Sequence, residues 1–322
     1  MRRFKVVKII AGILLLLTIG FIYQRLGSSA DDDRYKPVGQ IINVNGHKMH
    51  IYRQGQGDTT VVFASGCGTP SPYADFFPLH HEVSGHAKIA VYDRPGYGWS
   101  EVADTPRDID TIAEEVHELL EKSGEKPPYI FVAHSLGSLE VLRFAQLYKG
   151  EVKGIVMVDA GSPEYYENYK VPFYIPILHL FEKTVTGTGA ARLLYKNTAM
   201  YEYSVRSAYR NGLKLLPEEL REIDKAKWLK SPGNKNIEDE QRNIRSNAKI
   251  VAAGGKLENI PLRIFSADDS GKWEKGWSKS QEEFTQWSSD SKQVEVGNSK
   301  HYIHLFQPEI INKAIWELLD KK

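Results

Sequence analysis

The sequence predicts an α/β fold in which a mainly parallel sheet carries helices on both faces. Between residues 59 and 159, short strand-like runs alternate with helical stretches, such as those at 111–123 and 138–148. This alternation is typical of parallel sheets, because the return to each new parallel strand needs a crossover, usually a helix. The strand pattern then stops over residues 161–259, which are mostly helical. We therefore expect a helical cap, inserted before the sheet resumes at Leu262.

The N-terminal segment is basic and then apolar. Four basic residues between positions 2 and 8 precede an uncharged apolar run at 9–23, and three aspartates follow at 31–33. This run is short for a spanning helix of about 17–25 residues, but Val6 and Val7 extend it. We expect a membrane anchor that contacts the bilayer through residues 6–25, with the rest of the chain outside the cytoplasm. A cleaved signal segment within residues 1–30, which would release a secreted protein, and a buried core helix stay open as alternatives.

Residues 31–39 are polar and predict a linker to a domain that extends over 40–322. Within 40–52, two β-prone runs are joined at Asn45-Gly46. This dipeptide favours the tight turn of an antiparallel hairpin, because both residues accept a positive φ. The sheet is therefore predicted to begin with a hairpin.

Composition narrows the classes of function. The 322 residues are 41% hydrophobic, and 42 Lys and Arg balance 41 Asp and Glu. A chain of this size can bury a sizeable core. Its balanced charge provides no overall field that would attract nucleic acid, so no nucleic-acid partner is expected. The single cysteine, Cys67, cannot form an internal disulfide and does not discriminate between redox compartments.

Ser135 is the strongest candidate for a catalytic residue. It lies in AHSLG at 133–137, where a strand-like run ends and a helical pattern begins. A strand that reverses sharply into a helix needs small residues at Ala133 and Gly137, since larger side chains would collide across the turn. Such a turn exposes the serine hydroxyl at a helix N-terminus, which is the geometry of a nucleophile elbow. A serine before a helix is also often only an N-cap.

Carboxylates and then a histidine follow Ser135 in the chain, and these are the residue types that activate a serine nucleophile. A β-prone run from Leu262 ends in Asp268 and Asp269, and His301 precedes a C-terminal helical pattern. A serine hydroxyl becomes nucleophilic when a neutral imidazole accepts its proton and a carboxylate orients that imidazole. The order Ser, Asp, His is the one in which this type of fold places its triad. Asp159, which ends another strand-like run, is a further candidate for the acid.

Over roughly residues 40–322 the sequence resembles the α/β-hydrolase superfamily, also called alpha/beta hydrolase fold-1. The resemblance rests on SGCG at 65–68, YDRPGYGWS at 92–100 and HYIHLFQPE at 301–309, which are similar to the family's oxyanion loop, a conserved turn and its histidine segment. Ala133 and Ser266 replace glycines that are usual in the family, but both are small. The resemblance implies an eight-stranded, mainly parallel sheet flanked by helices, with a helical cap at about 161–259.

The resemblance also implies the roles of individual residues. Asp269 is the expected acid rather than Asp268 or Asp159, because the family's acid lies three positions after the residue that is Ser266 here. Two backbone N–H groups are expected to bind the oxyanion that forms on the substrate. The implied catalytic and oxyanion-hole residues are Ser135, Asp269, His301, Cys67 and Leu136.

The remaining histidines and glycines predict neither a metal site nor a cofactor site. His81 and His86 are five positions apart, whereas a zinc-binding helix needs two histidines four apart on one face. His134 and His304 are expected to be structural. The closely spaced glycines near positions 55 and 96 lack the following helix that a phosphate-binding loop requires.

These features predict a serine hydrolase that cleaves a carboxylic ester through an acyl-enzyme on Ser135, acting on a small-molecule ester or amide. Amidases, peptidases and acyltransferases of the family use the same triad and stay open as alternatives, beside a non-catalytic binding module. A serine at the elbow argues against the epoxide hydrolase and dehalogenase chemistry that the family performs with an aspartate. Four cap aromatics are expected either to line the substrate pocket or to pack the cap on the core: Tyr165, Tyr166, Phe173 and Tyr174.

Overall fold

The computed structural model describes residues 2–204, 209–268 and 276–321. Eight strands are described: β1 (Gln40–Val44), β2 (His47–Gln54), β3 (Thr60–Ala64), β4 (Lys88–Asp93), β5 (Tyr129–His134), β6 (Val152–Val158), β7 (Leu262–Ala267) and β8 (Ser291–Val296). They form an eight-stranded sheet in the order β1-β2-β4-β3-β5-β6-β7-β8. The pairs β1–β2 and β2–β4 are antiparallel and the others are parallel. The predicted fold class is confirmed.

The predicted hairpin at the start of the sheet is also confirmed. β1 and β2 are joined at Asn45 and Gly46, whose φ angles are 48° and 83°. Positive φ at both positions is what a tight hairpin turn requires, and asparagine and glycine adopt it most readily.

The helices of the body and the C-terminus flank the sheet. They are α2 (Pro72–Asp75), α3 (Phe77–Val83), α4 (Ile109–Ser123), α5 (Gly137–Leu147), α12 (Trp277–Glu283) and α13 (Pro308–Asp320). Alternate residues of β5 enter different cores: Phe131 packs with α4 and α5, whereas Ile130 and Val132 pack with α3 and α13. The sheet is therefore buried on both faces, as the nearly continuous apolar character of its strands requires.

Between β6 and β7 the described chain is helical and forms the cap. Its helices are α6 (Pro163–Asn168), α7 (Tyr174–Gly187), α8 (Ala190–Leu194), α9 (Thr198–Glu202), α10 (Glu218–Lys230) and α11 (Lys235–Ala253). An apolar cluster of cap residues, which includes Tyr201, Leu220 and Trp228, also contains Ala74 and Leu305 of the body. This shared cluster attaches the cap to the body on the side where β-strand carboxyl ends lie.

A long N-terminal helix, α1 (Arg2–Arg34), precedes the sheet. It is long and apolar enough to cross a membrane, with a mean hydropathy of 2.4 over its most apolar part. Residues 4–19 are exposed, whereas later positions pack on the cap: Gln24 donates a hydrogen bond to the carbonyl oxygen of Leu229, and Asp31 pairs with Arg192 at 2.7 Å. The helix therefore continues into the segment predicted as a linker, because its polar end has partners on the cap.

Candidate active site

A sharp turn between β5 and α5 presents Ser135. Its φ is 53°, in the left-handed region that costs energy for any residue other than glycine. Gly137 follows at the start of α5, and a Cβ atom there would lie 2.9 Å from the carbonyl oxygens of both Ala64 and Ser65. These oxygens are backbone atoms that cannot swing away, so only glycine fits. The turn has the strained geometry expected of a nucleophile elbow.

Ser135, His301 and Asp159 form a continuous hydrogen-bonded chain. His301 Nε2 lies 3.0 Å from Ser135 Oγ, and His301 Nδ1 lies 2.7 Å from Asp159 Oδ2. A carboxylate only accepts hydrogen bonds, so Nδ1–H donates to Asp159 and the lone pair of Nε2 faces the serine hydroxyl. This tautomer is the one in which the imidazole can take a proton from the serine.

The Asp159 carboxylate is fully buried and has several donors. Its Oδ1 accepts hydrogen bonds from Ala267 N at 2.9 Å and from Gln281 Nε2 at 2.7 Å. Its Oδ2 accepts from Trp277 Nε1 at 3.1 Å in addition to His301. Hydrogen bonds to the charged form stabilise a buried carboxylate and fix its orientation. Trp277 and Gln281 of α12 were not identified from the sequence, since no motif marks them.

Asp269, the acid that the sequence favoured, lies outside the described residues. The two alternatives, Asp159 and Asp268, have different surroundings. Asp268 is exposed and accepts hydrogen bonds from the backbone N–H groups of Asn298 and Ser299, at 2.9 and 3.3 Å. Asp268 therefore holds the loop that leads to His301, whereas Asp159 contacts the imidazole itself.

His134 and His304 are both buried behind the site, as structural histidines. His134 Nε2 donates to the backbone carbonyl oxygen of His301 at 3.0 Å. Burial, with the neighbouring His301, lowers the pKa of His134 well below its ordinary value, so this ring stays neutral. His304 Nε2 lies 2.9 Å from Asp75, which also contacts Arg210. Burial alone would raise the pKa of Asp75, but Arg210 and His304 outweigh it and lower the pKa.

The loop after β3 lies against the elbow. A Cβ atom on Gly66 would be 2.8 Å from His134 Nδ1 and 3.1 Å from Ser135 Cβ, so this loop approaches the nucleophile closely. Cys67 and Leu136, the residues expected to supply the oxyanion-hole N–H groups, line the same cavity as Ser135. Burial raises the pKa of the Cys67 thiol to about 11, so at neutral pH the side chain is a neutral thiol rather than a nucleophile.

Arg94, which sequence reasoning did not single out, fixes this loop from below. Its guanidinium is buried and donates to the carbonyl oxygens of Ser65 at 2.8 Å and Gly66 at 3.3 Å. It also forms ion pairs at 3.0 Å with Glu140 of α5 and Glu240 of cap helix α11. Burial would lower the pKa of Arg94, but the two carboxylates outweigh it and raise the pKa. The sequence feature that could have identified Arg94 is its position within the YDRPGYGWS turn, which resembles a turn of the family.

Replacing Arg94 should destabilise the protein strongly and in a pH-dependent way. Arg94→Met leaves the buried carboxylates of Glu140 and Glu240 without their cation, a change that typically costs about 3–5 kcal/mol. Burial already raises the pKa of Glu140, and removal of the cation would raise it further above the unfolded-state value. The loss of stability should therefore be full near neutral pH and shrink as the pH is lowered through the raised pKa of Glu140, because a protonated carboxyl buries no charge.

Urea denaturation of wild type and variant across this pH range measures the effect. Arg242→Met is the matched control, since Arg242 lies on the same cap helix as Glu240 but is 68% exposed. Its surface ion pairs should contribute at most about 1 kcal/mol. An Arg94→Met protein as stable as Arg242→Met near neutral pH would contradict the structural role assigned to Arg94.

The cavity over Ser135 has a volume of about 160 Å³. Cap residues form most of its other walls, and Trp277 of α12 completes them; the cap residues are Tyr166, Tyr169, Val171, Ile175, Gln241 and Ile244. Of the four aromatics considered from the sequence, Tyr166 lines this cavity and Tyr165 packs on Trp277, with ring centroids 5.2 Å apart. Phe173 and Tyr174 do neither, because they are 85% and 53% exposed.

Within the described ranges, no group of three His, Cys, Asp or Glu side chains is arranged to hold a metal ion. The side chains of Ser135, His301 and Asp159 are joined to one another by hydrogen bonds.

Comparison with known proteins identifies the family. The family model described as alpha/beta hydrolase fold matches residues 60–308. The uncharacterized protein YbdG of Bacillus subtilis (strain 168) is 31% identical over 98% of both chains. Among solved structures, the Cif epoxide hydrolase from Acinetobacter nosocomialis is 18% identical, with a TM-score of 0.67 and coverage of 93% of this chain and 96% of that chain.

A second solved structure gives the same architecture. The enol-lactonase from Burkholderia xenovorans LB400 is 16% identical, with a TM-score of 0.60 and coverage of 88% of this chain and 100% of that chain. At such low identity these structures support the fold, whereas the family model spans most of the sheet, the elbow and the histidine segment. The chain therefore belongs to the alpha/beta hydrolase fold family.

Proposed function

We propose that the protein is a serine hydrolase that cleaves carboxylic esters through an acyl-enzyme on Ser135. The observation that carries the proposal is the chain of hydrogen bonds from Ser135 Oγ through His301 to Asp159, at 3.0 and 2.7 Å. These distances lie within the range over which a base takes a proton from its nucleophile. Asp159 is the acid in this proposal, in place of Asp269.

The reaction follows from these positions. His301 Nε2 accepts the Ser135 proton as Oγ attacks the ester carbonyl carbon, and the electron pair of the carbonyl moves to oxygen. The imidazolium then gives its proton to the leaving alcohol, whose bond to carbon breaks, and an acyl-enzyme remains. Water, deprotonated by the same imidazole, attacks the acyl carbon and releases the acid and the free serine.

The loop after β3 and the start of α5 would stabilise the negative oxygen. Cys67 and Leu136 flank Ser135 in the cavity, and we assign their backbone N–H groups to the oxyanion hole. Loss of one such donor typically costs about 10²–10³ in rate. Arg94 supports this function indirectly, since it holds the carbonyl oxygens of Ser65 and Gly66 on the opposite side of the loop.

A serine nucleophile favours carbonyl substrates over epoxides. Several structural neighbours are described as epoxide hydrolases and another as an enol-lactonase. An acyl-enzyme on serine is an ester, which the same imidazole can hydrolyse. A serine that opened an epoxide would instead form an ether, which this set of groups has no means to cleave. The proposal is therefore ester hydrolysis.

We also infer that α1 anchors the protein in a membrane, with its N-terminus in the cytoplasm and the catalytic domain outside. The exposed, apolar stretch at 4–19 has no packing partner within the described chain. Residues 28–30 read Ser-Ser-Ala, small residues that a signal peptidase could cleave after. Contacts on both sides of them favour retention of the helix, because buried Gln24 contacts the carbonyl oxygen of Leu229 and Asp31 pairs with Arg192. Removal of residues 1–30 would uncover this cap surface.

Hydrolysis of p-nitrophenyl esters of graded acyl length tests the proposed activity. The full-length protein in detergent should be used, because α1 packs on the cap. The cavity of about 160 Å³ is smaller than the ~300–1,000 Å³ typical of ligand pockets, so the acetyl and butyryl esters should be preferred. Absence of turnover with every acyl length, by protein shown to be folded, would exclude a general esterase and point to amide or transfer chemistry.

A further inference from the structure

Helix α7 carries an apolar face that no described part of the chain covers. The face consists of Phe173, which precedes the helix, and five residues of α7, all between 44% and 85% exposed: Tyr174, Ile177, Leu178, Leu180 and Phe181. They recur three and four positions apart, so they lie along one side of the helix. We call this set the α7 apolar face. Soluble surfaces seldom expose so many large apolar side chains together, and such patches usually mark a partner or a membrane.

The two ends of α7 connect the active site to the N-terminal helix. Near its start, Val171 and Ile175 line the cavity of Ser135. At its end, the backbone passes so close to α1 that a Cβ atom on Gly20 would lie 2.1 Å from the carbonyl oxygen of Thr188. A 14-residue helix is about 21 Å long, so α7 bridges the distance from the cavity to α1.

The contact with α1 occurs where the membrane-spanning stretch should end. Residues 4–19 of α1 are exposed, and packing against the cap begins at Gly20. Tyrosine is favoured at membrane interfaces, and the ring of Tyr23, near the end of the apolar run, lies beside Gly189, just after α7. Exposed Leu193 and Leu194 of α8 extend the apolar surface next to this contact. The C-terminal end of α7 thus lies beside the residue at which the exposed, apolar stretch of α1 ends.

We propose that the α7 apolar face lies in the surface of the same lipid bilayer that α1 spans, so that the Ser135 cavity takes its ester substrate from the membrane. The first part rests on the exposed face and its contact with α1. The second part also rests on the proposed esterase function.

The size of the cavity defines the class of ester. A volume of about 160 Å³ holds the group around the scissile bond rather than a long chain. Val171 and Ile175, at the start of α7, form part of the cavity wall, so the exposed apolar side chains of α7 begin next to the cavity and offer a surface for the remainder of the molecule. We place the acyl group in this cavity, as for the p-nitrophenyl esters above, so the substrate class is an ester with a small acyl group and a long apolar alcohol that is dissolved in the bilayer.

Fluorescence quenching by lipids tests the membrane contact directly. The full-length protein, carrying Cys67→Ser so that only the introduced thiol reacts, is labelled with an environment-sensitive fluorophore at Leu180→Cys. It is reconstituted into vesicles of phosphatidylcholine and phosphatidylglycerol that contain a lipid with a nitroxide quencher near the top of its acyl chain. Leu14→Cys within α1 is the positive control. Leu147→Cys is the control for an exposed leucine elsewhere, since it lies at the far end of α5 from Ser135.

The label at position 180 should be quenched as the one at position 14 is, whereas the label at 147 should not. Quenching at 180 no greater than at 147 would overturn the proposal. An apolar environment at 180 that is insensitive to the lipid quencher and strengthens with the protein-to-lipid ratio would mean that a second copy covers the face, which also overturns it. An unquenched label at position 14 would refute the anchor and with it the proposal.

Two acetate esters with different alcohols test delivery from the bilayer. The acetate of a long-chain alcohol partitions into vesicles, whereas p-nitrophenyl acetate is soluble, and both place the same acyl group on Ser135. In the variant Ile177→Ser, Leu180→Ser, Phe181→Ser, acetate release from the long-chain ester should fall about tenfold or more, because the apolar contacts of α7 with the bilayer are lost. Hydrolysis of p-nitrophenyl acetate should not change.

Equal rates of wild type and variant on the long-chain ester would overturn delivery from the membrane. A parallel loss on both esters would mean that the face supports the cap rather than the lipid contact, and would also overturn it. If wild type hydrolyses neither ester, the proposed function fails, but the quenching experiment still decides whether α7 contacts the bilayer.

Discussion

Ser135→Ala should eliminate both labelling by a fluorophosphonate probe and ester turnover. Removal of a serine nucleophile from a comparable triad lowers kcat by about 10⁶-fold, because the histidine and the aspartate contribute little to the rate without a nucleophile to activate. The hydroxyl lies 3.0 Å from the imidazole that would activate it. Gel-based detection of the probe and p-nitrophenyl acetate turnover are the two measurements.

The same variant should remain folded. A φ of 53° costs alanine and serine a similar conformational energy, and the buried surroundings of the turn do not change. Ser138→Ala is the matched control, since Ser138 lies one helical turn further along, is buried and donates to the carbonyl oxygen of Gly161. It should keep probe labelling. Labelling of Ser135→Ala at the wild-type level would refute the nucleophile.

Much of the fold could be predicted because local signals agreed with the tertiary arrangement. The Asn45-Gly46 turn is a property of two adjacent residues, and the hairpin follows from it. The elbow is likewise local, since Gly137 must be small for the backbone after Ser135 to pass Ala64 and Ser65. The parallel order of the inner strands follows from the helices that separate them in the chain.

The identity of the carboxylate beside His301 depends on distances that no local pattern contains. β6 and β7 are adjacent and parallel, so Asp159 and the residues that follow Ala267 emerge at the same edge of the sheet. From the sequence alone, either strand end can reach the histidine. The position of the Asp159 carboxylate is fixed by Trp277 and Gln281, which lie on a helix more than a hundred residues later and donate hydrogen bonds to it.

The partners of α1 were equally hidden from sequence reasoning. Polarity after residue 30 predicted a linker, yet these polar side chains pair with the cap: Asp31 with Arg192, and Asp32 with Lys230 at 2.8 Å. In a linker these aspartates would be solvated, but here each forms an ion pair with a basic residue of the cap. The basic partners are about 160 to 200 positions away in the chain, so only the tertiary fold brings them close.

Asp159→Asn should lower kcat by about 10⁴-fold, the second largest effect expected in this site. The carboxylate now accepts from His301 Nδ1 and from Trp277 Nε1 at one oxygen, and from Ala267 N and Gln281 Nε2 at the other. An asparagine must turn its NH₂ group towards one of these pairs of donors. If it faces His301, the imidazole shifts to the tautomer with hydrogen on Nε2, which cannot accept the serine proton.

The ranking of three variants separates the candidates for the acid. Asp268→Asn removes charge from an exposed side chain that contacts only the backbone of Asn298 and Ser299 in the described hydrogen bonds, so kcat should change by less than about tenfold. Asp269→Asn should likewise leave most activity if Asp159 orients His301. Steady-state kcat and the rate of fluorophosphonate labelling should follow the same ranking, because both require a deprotonated Ser135. A larger loss in Asp269→Asn than in Asp159→Asn would return the role of the acid to Asp269 and leave Asp159 as a structural carboxylate beneath the histidine.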